Sequence, residues 1–247
     1  MSAAQNSLEG LAALDVTYVL YDESSRTAQL LALLTLSPVL LNPAYLALAV
    51  YTRELFFIEM WAGQLLCEAF NWVLKHLIQE DRPYEHMGPG YGFPSSHSQW
   101  MGYFAAFLLC HLALRHRFAS TGSRALDTAR TLAVCGGVAA WAGAVAYSRY
   151  ALTYHSARQV LWGVAIGLAC GAAWYALVEV LPAARPRSLV GRLRTALLAH
   201  PLLAWFRLRD GWAVYPDGGT EAQWLAWRAK WDALQRADAS SPAKKTR

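Results

Sequence analysis

Apolar residues in this chain fall into five long blocks separated by short polar stretches, near Gln29–Val50, Glu54–Ile78, Ser98–Leu114, Thr131–Tyr147 and Gln159–Leu181. A helix that crosses a bilayer needs about 20 mostly apolar residues, and each block approaches that length. The first contains Pro38 and Pro43, which would break a soluble helix. Inside a bundle, neighbouring groups can re-satisfy the carbonyls that proline leaves free. The pattern predicts an all-α fold, a polytopic membrane helix bundle of about five transmembrane helices with an amphipathic C-terminal tail. It divides the chain into an N-terminal tail (1–28), a membrane domain (29–181) and a basic, Trp-containing tail (182–247).

Composition agrees with this division. Of 247 residues, 55% are apolar, and their clustering argues for lipid rather than a soluble core. Met1–Ala28 lack the basic start and short apolar run of a cleaved signal peptide, so they are expected to be a mature tail with a short interfacial helix. In the C-terminal tail, Ser188–Ala199 sets Leu189, Val190, Leu193 and Leu197 among Arg192 and Arg194. Thr220-Glu-Ala-Gln223 has capping-box form and opens a stretch with Trp224, Trp227 and Trp231 at helical spacing. Two readings stand for this tail, a helix in the headgroup plane and one packed on the bundle. Ala237–Arg247 are expected to be disordered.

Charge sets the orientation. Of 22 Lys and Arg residues, only Arg26, Lys75, Arg82, Arg149 and Arg158 fall on one side of the five blocks. The rest lie at Arg53, in the loop Arg115–Arg130 and from Arg185 onward. Excess Lys and Arg marks the cytoplasmic face, so the first side faces away from the cytosol. With the basic residues explained by topology and no reader motif in sight, no nucleic-acid partner is expected. Cys67, Cys110, Cys135 and Cys170 lie inside apolar blocks without metal-type spacing, which predicts buried thiols and no disulfides. His76, His86, His111, His116 and His200 have no partner at ligand spacing. No metal and no cofactor are implied.

Three polar islands occupy the non-cytoplasmic side. The first runs from Glu68 through Asn71 and Lys75 to Arg82-Pro83. If the helix continued, Glu68, Asn71, Lys75 and Arg82 would share one stripe, ended by Pro83. Lys75 and Arg82 suit a phosphate clamp, and snorkelling to headgroups is the plainer alternative. The second, Pro94-Ser95-Ser96-His97, precedes a helix, where a serine cap and free N–H groups favour an anion; Gly88, Gly90 and Gly92 upstream suit a tight loop. The third, Ser148-Arg149-…-Tyr154-His155, supplies a second guanidinium and a His at the start of the last block. Gln159 follows four residues on, on the same face. A neutral imidazole whose other nitrogen is held is a competent nucleophile.

The three islands resemble, residue for residue, the tripartite signature of the type 2 phosphatidate phosphatase superfamily, and most closely its dolichyl diphosphatase branch. The likeness rests on Glu68-x-x-Asn71-Trp72-x-x-Lys75-x-x-Ile78-Gln79-Glu80-x-Arg82-Pro83, Tyr91-Gly92-x-Pro94-Ser95-Ser96-His97-Ser98-Gln99 and Ser148-Arg149-x-x-Leu152-x-Tyr154-His155-x-x-x-Gln159-Val160. The resemblance implies a metal-independent hydrolase with a phosphohistidine intermediate. His155 would be the nucleophile and His97 the general acid and then base. Lys75, Arg82, Arg149, Ser95 and Ser96 would bind phosphate oxygens, with Glu68, Asn71, Pro94, Ser148 and Tyr154 in support. The implied substrate is dolichyl diphosphate, cut to dolichyl phosphate and inorganic phosphate at the lumenal face of the endoplasmic reticulum, which recycles the glycan carrier of protein N-glycosylation. Most superfamily members carry Asp where Gln159 stands; the dolichyl branch shows Gln. The alternatives are a phosphatase of phosphatidate or a shorter polyprenyl diphosphate, or a catalytically silent lipid-binding membrane protein.

Overall fold

A computed structural model of the chain describes residues 19–21, 24–84 and 90–240. Among them there is no strand, only an isolated bridge between Glu54 and Arg209. Helices α1 (Arg26–Thr35) and α2 (Ser37–Thr52) meet at Leu36, where Pro38 enters the first turn of α2. Then come α3 (Leu55–Ile78), α4 (Ser96–Leu114), α5 (Arg124–Ala151) and α6 (Ala157–Tyr175). A π-helical turn at Ala176–Val180 carries α6 into the short α7 (Leu181–Ala184). The tail folds as α8 (Leu189–Ala199), α9 (Pro201–Trp205), α10 (Gly211–Val214) and α11 (Thr220–Ser240).

Among the described residues, three continuous segments are long and apolar enough to cross a membrane: Arg26–Thr52, Arg124–Ala151 and Ala157–Ala184. The expected blocks in α3 and α4 have the length, at 24 and 19 residues, but are more polar. They carry Gln64, Asn71, Ser98 and Gln99, all buried, so their polar side chains meet inside the bundle instead of facing lipid. The chain is a polytopic membrane helix bundle.

Helix α4 is the core. Met101, Tyr103 and Phe107 are fully buried, and α4 packs most extensively against α6. The contact is close because α6 presents Gly163, Gly167 and Gly171, one per turn, to the α4 backbone. A β-carbon on Gly163 would lie 2.7 Å from the Ser95 carbonyl oxygen, and those on Gly167 and Gly171 would strike the carbonyls of Gln99 and Tyr103. Small residues at such a seam let two membrane helices gain dispersion contact along their whole length. The seam also brings the start of α4 against the start of α6, where the Ser95 N–H donates to the Gln159 carbonyl at 3.1 Å.

The other end is closed by the tail. Arg194 of α8 is 10% exposed and pairs with Glu59 of α3, Glu179 in the π-helical turn and Asp210. Arg115 also bonds Glu179, and Glu54 accepts from the Gly211 N–H and from Arg209. The tail therefore packs on the bundle, while Leu189, Leu193 and Leu197 point outward on α8. The expected Thr220 capping box is replaced: Asp217 accepts from the N–H groups of Gly219 and Glu221. Helix α11 continues to Ser240, against the disorder expected from Ala237 onward; residues 241–247 lie outside the described residues. The first helix starts at Arg26, capped by Ser25, three residues before the expected block. The interfacial helix expected in Met1–Ala28 falls mostly outside the described residues. All four cysteines are free.

The glycine seam gives a direct test. Gly143 on α5 faces open space, so Gly143→Ala should leave the thermal midpoint in detergent unchanged or slightly raised. Gly167→Ala must push α4 and α6 apart. Overpacking costs about 1–3 kcal/mol or more, and the midpoint should fall accordingly.

Candidate active site

The first island leaves the helix earlier than its stripe predicts. Helix α3 ends at Ile78, and Gln79 takes a left-handed backbone with φ +51°, its N–H bonded to the Lys75 carbonyl. Arg82 is therefore in a loop and off the Glu68–Asn71–Lys75 face. The reversal turns residues 80–82 back toward the bundle, where the Glu80 carbonyl accepts from Gly92 N–H. Lys75 Nζ donates to the Tyr91 carbonyl at 2.9 Å, and Arg82 Nε to that of Gly90 at 3.3 Å. Two backbone carbonyls of the next loop thus hold the cations in place. Gly88 and His86 lie outside the described residues.

Helix α4 begins at Ser96, two residues earlier than expected, which places His97 in its first turn. Ser95 occupies the cap position, but its hydroxyl accepts from Ser98 Oγ at 2.9 Å instead of capping the backbone. Asn71 anchors this turn to α3: its amide donates to Gln99 Oε1 at 2.8 Å and to the Pro94 carbonyl, while Gln99 Nε2 donates to the Cys67 carbonyl. His97 and Ser96 line a pocket of about 200 Å³ with Glu68, Trp100 and Pro38.

The third island spans the end of α5 and the loop to α6. Ser148 is buried and bonds Thr35 on α1 and the Val145 carbonyl, so it ties helices together. Arg149 is 5% exposed and lies over the Tyr154 ring at 3.9 Å; its Nε has no hydrogen-bond partner among the described residues. The Tyr154 hydroxyl accepts from the Leu20 N–H at 2.6 Å. Thr153 has φ +61°, costly for a β-branched residue. That turn lets the His155 N–H close on the Arg149 carbonyl. His155 precedes α6, which starts at Ala157, where it had been expected to begin the span.

Gln159 fixes the imidazole. Its Oε1 faces two donors, His155 Nδ1 at 3.2 Å and the Ser156 N–H at 3.2 Å. Its Nε2 faces two acceptors, Glu80 Oε1 at 2.9 Å and the Asp81 carbonyl at 2.9 Å. Swapping the amide ends would set oxygen against oxygen, so the network decides the orientation. The proton then sits on His155 Nδ1, which leaves the Nε2 lone pair free. Beside it is a cavity of about 440 Å³ lined by Pro83, Tyr84, Tyr150, Thr153 and Ser156.

The three islands converge electrostatically. Lys75, Arg82 and Arg149 all act on both His97 and His155. Among the described residues, no carboxylate forms an ion pair with Lys75 or Arg149. Burial, then Arg149, Arg82 and Lys75, push His155 far below the usual imidazole range, to about 2, against the hydrogen bond from Gln159. Two cations without a carboxylate ion pair thus act on a neutral imidazole whose second nitrogen keeps its lone pair, the combination that anion binding and nucleophilic attack require.

Residues 56–182 match the family model described as the PAP2 superfamily. Dolichyldiphosphatase 1 of Rhinolophus ferrumequinum is 36% identical over 79% of this chain and 80% of its own length. The human protein of the same name is also 36% identical, over the same shares. The Saccharomyces cerevisiae dolichyldiphosphatase is 31% identical, over 73% of this chain and 76% of its own. This chain belongs to the dolichyldiphosphatase branch of the PAP2 superfamily. No solved structure matches it.

Within this PAP2 site, the contact missed from sequence is Glu80. It stands inside the motif that carries the resemblance, yet nothing in the spacing shows that it reaches Gln159 across the fold. Gly92 had a further role: a β-carbon there would lie 2.7 Å from Gln159 Nε2, so its small size makes room for that amide. Thr35 and Leu20 support Ser148 and Tyr154 from more than a hundred residues away, beyond any local pattern.

A pH dependence follows from His155. Its folded-state value lies below the unfolded reference of about 6.5, so below that pH the unfolded chain binds the extra proton. Stability should then be intact above about pH 6.5 and fall as the pH drops toward 5. Replacing the ring by an uncharged side chain, His155→Asn, should flatten the fall in thermal midpoint between pH 7.5 and 5.

Proposed function

We propose that this PAP2 chain hydrolyses dolichyl diphosphate to dolichyl phosphate and inorganic phosphate through a phosphohistidine. One observation carries the reading: the charges of Lys75, Arg82 and Arg149 act on both His97 and His155, and Gln159 holds His155 with its Nε2 lone pair free. His155 Nε2 attacks the terminal phosphorus, and the bond from that phosphorus to the bridging oxygen breaks. His97 delivers a proton to the departing dolichyl phosphate. His97 then takes a proton from water, whose oxygen attacks the phosphohistidine and releases phosphate and His155. The cations, with Ser95 and Ser96, stabilise the charge spread over the transferring oxygens. Asn71, Pro94, Ser148 and Tyr154 hold these groups in place, and Glu68 lines the pocket beside His97. The choice of dolichyl diphosphate follows the printed names of the relatives.

In this reading α3 and α4 cross the membrane with the three apolar segments, giving five crossings and a basic C-terminal tail in the cytosol. The site then faces the lumen of the endoplasmic reticulum, where the freed carrier lipid re-enters the N-glycosylation cycle.

Purified protein should release phosphate from dolichyl diphosphate, and less from phosphatidate, in the presence of a chelator. His155→Ala should abolish turnover and acid-labile phosphoenzyme. His97→Ala should lower the rate about 10²- to 10⁴-fold while still allowing the enzyme to be labelled. Release only on addition of magnesium, or turnover by His155→Ala, would overturn the mechanism. For orientation, a C-terminal tag in sealed microsomes should be open to protease; a protected tag would reverse the topology.

A further inference from the structure

The hydrogen bonds around the proposed nucleophile do not stop at Gln159. Its amide leads from His155 Nδ1 to Glu80, whose Oε1 accepts from Gln159 Nε2 at 2.9 Å. Glu80 lies in the loop after α3, 79 residues away in sequence, and its side chain is 24% exposed. Its own backbone is pinned by the Gly92 N–H, and Gly92 in turn leaves the space in which the amide sits.

We propose that Glu80 is a positioning residue for the nucleophile, holding the Gln159 amide so that its oxygen faces His155, and relaying a carboxylate's charge to the ring through that amide. The inference rests on the reading of His155 as nucleophile. Three points carry it. A primary amide is symmetric in shape, so without acceptors on its nitrogen side Gln159 could turn and offer N–H to the His155 nitrogen. That would place the proton on Nε2 and remove the attacking lone pair. Glu80 Oε1 and the Asp81 carbonyl supply the two acceptors, one of them ionised and hence the stronger. Lastly, attack by Nε2 builds positive charge on the imidazole. A carboxylate one amide away polarises the Gln159 oxygen in the direction that stabilises this charge. Gln159 alone is a weaker partner than a carboxylate; Gln159 with Glu80 behind it approaches one.

The rival role for Glu80 is structural, since it also pairs with Arg158. That Arg side chain is 66% exposed, and such surface pairs contribute little.

The test is a set of variants assayed on lipid diphosphate, with thermal midpoints measured to confirm folding. Glu80→Leu should lower kcat about 10- to 100-fold, the effect of losing a hydrogen bond to a charged group, with KM nearly unchanged. Glu80→Gln keeps an acceptor without the charge and should fall between Glu80→Leu and wild type. Arg158→Gln removes only the ion pair and should leave kcat close to wild type. The deciding comparison uses Gln159→Asp, which puts a carboxylate directly on His155. In that background Glu80→Leu should cost nothing. An equal loss in both backgrounds, a loss matched by Arg158→Gln, or an effect confined to KM would overturn the proposal. An active wild type with unaffected Glu80→Leu rejects the role of Glu80 alone. A wild type silent on every lipid diphosphate rejects the functional reading and this inference with it.

Discussion

The close approach of α4 and α6 is the constraint on which the rest of the molecule depends. With Gly163, Gly167 and Gly171 against the carbonyls of Ser95, Gln99 and Tyr103, the two helices are held along their length with little freedom to slide. Their first turns are thereby brought together, and each turn carries part of the site: Ser95–His97 on one, Gln159 on the other. The bond from Ser95 N–H to the Gln159 carbonyl closes the junction. Helix α3 joins through Asn71 and Gln99, so Lys75, His97, Arg149 and Gln159 sit on packed helices, while Arg82, Glu80 and His155 come from the loops between them.

Against that rigid frame stands an electrostatic imbalance. Bringing Lys75, Arg82 and Arg149 near each other, largely out of water, is unfavourable. The fold tolerates it by giving each cation a neutral support: the Tyr91 carbonyl, the Gly90 carbonyl and the face of Tyr154. Neutral supports fix position without cancelling charge. In the proposed reaction the repulsion is relieved when a polyanion enters, as in any preorganised pocket that stabilises charge without rearranging at the moment of reaction.

Much of this was readable from the sequence, for physical reasons that differ from part to part. The spans were legible because lipid demands long apolar runs, and the paired His155 and Gln159 because four residues is one helical turn. Lys75, His97 and Arg149 were expected on one side of the membrane from their order among the apolar blocks, and charge only assigned the face. The stripe through Arg82 failed because local periodicity cannot show where a helix stops; the left-handed Gln79 ended α3 before Pro83 could. The α6 glycines were visible at a spacing of four, but the helix they approach was not. Glu80, Thr35 and Leu20 needed the fold, since their partners are 79, 113 and 134 residues away. For the tail, Arg194 holds α8 on the bundle by turning inward to three carboxylates, while Trp224, Trp227 and Trp231 on α11 stay exposed.

That inward Arg194 has a consequence for how the molecule is made. Glu59 lies on α3, and the guanidinium that neutralises it is 135 residues further along the chain. At a synthesis rate of about 5–20 residues per second, that interval lasts roughly 7–27 s. Throughout it Glu59 waits for that guanidinium, and the bundle cannot reach its final packing at that end. In this PAP2 protein the end of the bundle at Glu59 is therefore completed by α8, after α1 to α7 have been made.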